Sequence, residues 1–132
     1  MGVTEVLDIP QKAERIIKSI TGRGPDTLGN FEFSLTTSQI RKFLTAVVAL
    51  QNRLQQVEGD TLDASFINEI KYLKIKLAYQ AGRKTEVKEF AVKSDMFEEI
   101  DKAALSKGAF MQFAQLIEGI VAYHRFYGGR ES

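Results

Sequence analysis

One histidine, one dense knot of carboxylates and two stretches of unopposed positive charge are the groups in this chain that could do chemistry. The histidine, His124, lies in register with Ile117 and Ile120. A lone imidazole serves as a general base only when a partner orients it, and no Ser or Asp falls at a spacing that suggests a triad. A hydrogen-bonded histidine at the edge of an apolar core accounts for it without catalysis. The carboxylates are Asp95, Glu98, Glu99 and Asp101. They lack the alternating acids, central glycine and closing glutamate of a calcium loop, and no Glu-x-x-His pairs are available for a di-metal helical site. They read as a solvated face, or as a dock for a basic protein. With no cysteine there is no thiolate ligand or thiol nucleophile. The expectation is a chain that is not an enzyme and has no metal and no cofactor.

The positive charge is more informative. From Phe33 to Val57 the charged residues are Arg41, Lys42 and Arg53, and from Lys71 to Lys84 they are Lys71, Lys74, Lys76, Arg83 and Lys84, with no acid in either stretch. The whole chain is nearly neutral, at +1, so its acids are concentrated elsewhere. Positive charge segregated in this way attracts a polyanion better than the same charge mixed with acids. At about 100° per residue, Tyr72, Lys76, Tyr79 and Arg83 share a narrow arc on one side of a helix. Tyrosines there could stack on bases or sugars while the cations neutralise phosphates. Equally, both rings could pack against a neighbouring helix with the Lys and Arg stems passing over them. The polar face of the preceding helix, with Ser38, Arg41, Lys42, Thr45, Asn52, Arg53 and Gln56, tips the balance towards polyanion binding.

These side chains must be positioned by helices. Both prolines precede residue 26, and apolar residues afterwards recur at helical spacing, with no alternating strand pattern of useful length. A first helix starts at Pro10, carries Ile16, Ile17 and Ile20, and ends at Thr21-Gly22. Residues 22–30 are rich in breakers and read as a flexible connection, without the Gly-Lys-Ser/Thr of a phosphate-cradling loop. Thr36 and Gln39 have capping-box spacing and open a second helix that ends at Gly59-Asp60, with Ile40, Phe43, Leu44, Val47, Leu50, Leu54 and Val57 on its core stripe. A third runs from Asp63 to Gly82 over Phe66, Ile70, Leu73 and Leu77. Residues 85–105 form a fourth helical region that a capping signal at Ser94-Asp95 would break in two. The last helix, from Ser106 or Lys107 to Tyr127, has the widest apolar arc and should be the most central, and the Gly128-Gly129-Arg130 tail then leaves the fold. The fold class is all-α, a compact bundle of about five helices.

At 132 residues, with 44% apolar and 27% charged residues, the chain fits a single globular domain spanning residues 1–132. No apolar run approaches the roughly 20 residues that span a bilayer, and the N-terminus has neither the basic start nor the apolar core of a secretory signal. A cytoplasmic location without membrane association is expected.

Three segments carry a specific resemblance. They are Leu35-Thr36-Thr37-Ser38-Gln39-Ile40-Arg41-Lys42-Phe43, Leu77-Ala78-Tyr79-Gln80-Ala81-Gly82-Arg83, and the run from Phe113 through Ala122-Tyr123-His124-Arg125-Phe126-Tyr127 to Arg130. In this order and spacing the chain, from about residue 33 to 130, resembles the small helical subunit of the type III-A CRISPR effector, the Csm complex; residues 1–30 read as a variable helix and loop. The resemblance implies a non-catalytic RNA-binding subunit, several copies of which form a minor filament beside the backbone subunits and reach the large signalling subunit. Its implied partners are CRISPR RNA, target single-stranded RNA, those subunits and further copies of itself, with target cutting left to the backbone subunit. Sequence would be read by guide pairing, so this subunit need only hold backbone and shape. Arg41 and Lys42 lie in the first motif, Lys76, Tyr79 and Arg83 in or beside the second, and Arg125 and Arg130 in the third; with Arg53 from the charge pattern they make the expected RNA-binding set. Two alternatives stand: a helical adaptor that binds only protein, its basic face docked on residues 95–101 of another copy, and the small subunit of a related type III effector.

Overall fold

The computed structural model describes residues 8–132. Among them are six helices and no strand: α1 (Ile9–Ser19), α2 (Thr37–Leu54), α3 (Ala64–Arg83), α4 (Thr85–Lys93), α5 (Met96–Ala103) and α6 (Lys107–Phe126). The fourth expected region is two helices, which raises the count from five. Its break has a different cause from the one expected. The Ser94 hydroxyl donates backwards to the Phe90 carbonyl at 2.6 Å instead of capping the next helix, and Asp95 adopts a left-handed conformation at φ 53° with no side-chain cap. Aspartate is among the few non-glycine residues that visit this region routinely.

The stripes read from the sequence are buried, with Leu44 and Val57 only partly so, and their apolar side chains gather on one cluster. α6 is central, packing on α1, α2 and α5, while α3, α4 and α5 pack on one another. Phe110, Ile117 and Ile120 on α6 are fully buried. α1 lies close enough to α6 that a Cβ at Gly119 would stand 3.0 Å from that of Ala13. The connection at residues 22–32 is closed on itself. The Gly22 amide donates to Glu32 at 2.7 Å, the Glu32 amide to Arg23 at 2.7 Å, and one Asp26 carboxylate oxygen accepts from Leu28 and Asn30. Those backbone donors hold the Asp26 carboxyl below its usual range.

Two helix starts are satisfied by distant chain. An α-helix begins with N–H groups that have no partner within it. At α6, Ala109 bonds the Ser106 hydroxyl, while Lys107 and Gly108 donate to the carbonyl and the carboxylate of Asp60. At α2 the capping box forms as read: the Gln39 amide donates to Thr36 Oγ1 at 3.2 Å, and the Thr36 amide to Gln39 Oε1 at 2.9 Å. The remaining donors, Thr37 and Ser38, reach the carbonyls of Arg130 and Glu131 at 2.8 and 2.9 Å. The tail therefore does not leave the fold. Gly128, at φ 99°, turns the chain back after α6, with the Gly128 and Gly129 amides donating to Arg125 and His124 in a Schellman arrangement. The returning strand of chain then runs over the His124 ring to α2.

His124 is the pin of this closure. It is fully buried, with Nε2 2.8 Å from the Leu35 carbonyl and Nδ1 3.0 Å from Thr37 Oγ1. A carbonyl can only accept, so Nε2 carries a proton; burial disfavours a second one, which leaves Nδ1 to accept from the threonine hydroxyl. The imidazole is neutral and both nitrogens are committed, so it is structural rather than a free base. Burial holds its pKa below the usual 6.5 against the opposing pull of the Leu35 bond; Arg125 lowers it further and Glu131 raises it.

Two outcomes are expected. A methyl at position 129 would overlap the His124 ring, which has nowhere to move, so Gly129→Ala should lose about 1–3 kcal/mol of stability in a denaturant titration. For His124 the folded pKa lies below the unfolded one, so between the two values the unfolded chain binds more protons. Stability is complete above about pH 6.5 and falls as pH drops through that window, at up to about 1.4 kcal/mol per unit. Glu69 and Glu86, lowered from 4.5, act at lower pH. His124→Phe should cost about 1–3 kcal/mol at pH 8, by stranding the Leu35 and Thr37 groups, and should flatten the melting profile between pH 5 and 7. An unchanged profile would mean that His124 does not carry it.

Candidate nucleic-acid interface

The outward side of α3 carries the arc that the sequence marked. Tyr79 is 69% exposed, Tyr72 is 52% exposed, and Lys76 and Arg83 are also exposed, so neither ring is buried by a neighbouring helix, although Tyr72 edges the seam with α2. The Arg83 guanidinium lies 5.7 Å from the centre of the Tyr79 ring. Between the tyrosines, Ile75 is also exposed, at 58%. It lies at the margin of the same arc, where an aliphatic side chain carries neither ring nor charge to mark it.

Across the seam from α3 runs α2, whose basic residues divide into two groups. Arg53 is held: its guanidinium makes a two-pronged bond to the Glu69 carboxylate, at 2.5 and 2.9 Å, and lies 5.2 Å over the Phe66 ring. That bond pushes the Arg53 pKa up and holds the Glu69 carboxyl down. Arg41 is 3.4 Å from the Glu131 carboxylate. Lys42, by contrast, is exposed and makes no ion pair among the described residues. The acid-free stretches of sequence are thus not wholly acid-free surfaces, because Glu69 and Glu131 reach over from α3 and the tail. Two hydroxyls expected to be available for RNA are also engaged: Ser38 Oγ donates to the Glu131 carbonyl and Thr45 Oγ1 to the Arg41 carbonyl. Asn52 and Gln56 remain exposed.

At the tail, Arg125 donates to the Gly129 carbonyl at 2.7 Å and lies 3.8 Å from Glu131, bracing the turn. Arg130 is exposed and has no ion pair among the described residues. Of the side chains expected to meet RNA, Lys42, Lys76, Tyr79, Arg83 and Arg130 are exposed and, among the described residues, free of acids. Arg41, Arg53 and Arg125 already have intramolecular partners.

The carboxylate knot is not a plain solvated face. Glu99 is bonded to Lys12 at 2.8 Å and approached by Lys102, and Asp101 holds Lys74 at 3.0 Å, which ties α5 to α1 and α3. Lys74 is accordingly turned away from the free cations of its own helix. Among the described residues there is no group of three or more His, Asp or Glu that could hold a metal ion, and no helix is long and apolar enough to cross a membrane.

The three sequence segments singled out above meet at the start of α2. Gln39 donates its side-chain amide to Glu86 at 2.9 Å and accepts on its backbone carbonyl from the Gln80 side chain at 3.2 Å, while His124 and the tail close the other side. Their spacing along the chain reflects one junction in space.

A family described as Csm2 Type III-A matches residues 11–130. The chain is similar to a protein of Streptococcus thermophilus named "CRISPR system Cms protein Csm2", with 37% identity over 120 residues and 91% of each chain covered. Proteins of the same name from Enterococcus italicus and Mycobacterium tuberculosis are 30% and 29% identical, over 84% and 71% of this chain and 79% and 76% of theirs.

Proposed function

The chain belongs to the type III-A Csm2 family, and on that premise we propose that it is a non-catalytic subunit of the type III-A CRISPR effector complex that holds RNA through its α3 face. The observation that carries this reading is the stripe of Tyr72, Lys76, Tyr79 and Arg83, which is exposed, alternates ring and cation, and has no acid bonded to either cation among the described residues. Such a surface suits a single strand: rings offer stacking that tolerates any base, and cations meet phosphates. Lys42 across the seam and Arg130 at the tail extend the same charge. Arg41, Arg53 and Arg125 would join only by exchanging a carboxylate or carbonyl partner for a phosphate.

In this reading several copies line up as a minor filament beside the backbone subunits, touching the large signalling subunit, and their α3 faces line the path of guide or target RNA. The reading as a protein-only adaptor keeps only part of the surface it invoked: Glu99 and Asp101 are paired with lysines of their own chain, while Asp95 and Glu98 stay exposed. Nothing in the family assignment calls for chemistry by this chain, and His124 is engaged on both nitrogens.

Changing Lys42, Lys76 and Arg83 together to Glu should leave the helical fold and its melting curve intact, since all three are exposed and have no acid partner among the described residues. RNA capture by the assembled complex should weaken. The logarithmic salt slope should become shallower by about 2, since each phosphate neutralised on a single strand contributes roughly 0.7. Capture equal to wild type at every salt concentration would sink the assignment of this face.

A further inference from the structure

The seam between α2 and α3 is tied at both ends and open between them. At one end the Gln80 side chain bonds the Gln39 carbonyl, and at the other the Arg53–Glu69 pair closes across. In between, α2 contributes only the methyl groups of Ala46 and Ala49, and α3 contributes Tyr72 and Lys76, over a floor of Leu50 and Leu73. This leaves a groove of about 260 Å³. It shares Tyr72 and Lys76 with the stripe described above, and the sequence pattern did not reveal it, because alanine on a helix surface is ordinarily unremarked.

We infer that this groove takes one unpaired nucleobase of bound RNA, with its face against the Tyr72 ring and its edge towards the Arg53–Glu69 pair. The inference rests on the RNA-holding reading and refines it. Three features select a base over other occupants. The walls are apolar and aromatic, as a base face requires, whereas the closed end offers guanidinium donors beside carboxylate acceptors, which between them meet the edge of any base. The ties at both ends bar a helical peptide, which needs a continuous trough for its successive anchors. The charge also fits: the one acid lining the groove among the described residues, Glu69, is neutralised by Arg53, and the cation on its rim, Lys76, stands ready for the adjoining phosphate. Arg53 thereby changes role, from a phosphate ligand to the group that faces the base.

The test uses the full chain at low salt, titrated by fluorescence anisotropy with a short oligoadenylate and with a strand of equal length whose sugars carry no base. Wild type should prefer the base-bearing strand by about tenfold, the size of one stacked base. Ala49→Leu, which fills the groove and keeps helix propensity, should cut that preference to what the Tyr79 ring alone sustains, while leaving the salt slope with the abasic strand unchanged. Tyr72→Ala should do the same. Equal wild-type affinity for the two strands, with binding still abolished in the Lys42, Lys76 and Arg83 variant, would overturn the base site and leave the phosphate surface standing. No binding of either strand would remove both. An Ala49→Leu protein that keeps the preference but no longer enters the effector complex would make the groove a protein-docking site and overturn the inference.

Discussion

The start of α2 is the point on which the rest of this structure depends. Four backbone N–H groups there would be left without partners by the helix itself. Two are met by the local exchange between Thr36 and Gln39, and two by carbonyls of the tail that arrive only because His124, Gly128 and Gly129 turn the chain back. Each component needs the others. The tail lies flat because residue 129 has no side chain, the imidazole is held by Leu35 and Thr37, and Gln39 reaches on to Glu86 and Gln80. Loss of one member leaves buried polar groups without partners, which costs more than the bond itself contributes.

This junction also sets the surface proposed to meet RNA. By fixing the start of α2 against the end of α3 it sets the seam, and the exposed ring-and-cation stripe then follows from the helical register of α3. Charge is distributed by the same logic. Cations that brace the fold, such as Lys12, Lys74, Arg53 and Arg125, have partners within the chain. Lys42, Lys76, Arg83 and Arg130 are exposed and have no ion pair among the described residues.

Much of this was legible in the sequence. Helix starts and the caps at Thr36 and Asp63 follow from local chemistry, and the structure keeps them, but α2 ends at Leu54, short of the Gly59-Asp60 stop expected. The side of α3 that faces outward was also legible, since its period is strong. What the sequence hid was long-range. Glu69 lies just ahead of an acid-free window and reaches back to Arg53; Glu131 lies in a tail whose two glycines read as a release from the fold. Gly128-Gly129 reads as an end because glycine is flexible, whereas here one glycine supplies a left-handed turn and the other a close approach. Ser94-Asp95 marked the right place for a break, but backward bonding and a left-handed residue made it.

The reach of the tail has a consequence for how the chain assembles. The helices α3, α4 and α5 follow one another and pack on one another, so that half needs only short loops to close. The other half joins α1 and α2 to α6, and the bond between Ser38 and Glu131 spans 93 residues. Closing a loop of that length costs on the order of 4 kcal/mol in chain entropy, which must be met before the tail's bonds return anything. The local half is therefore the natural nucleus, and the tail settles last, over helices already in place. The seam between α2 and α3 thus straddles a kinetic boundary: α3 matures with the early half, α2 with the late one, and the seam is complete only when folding is.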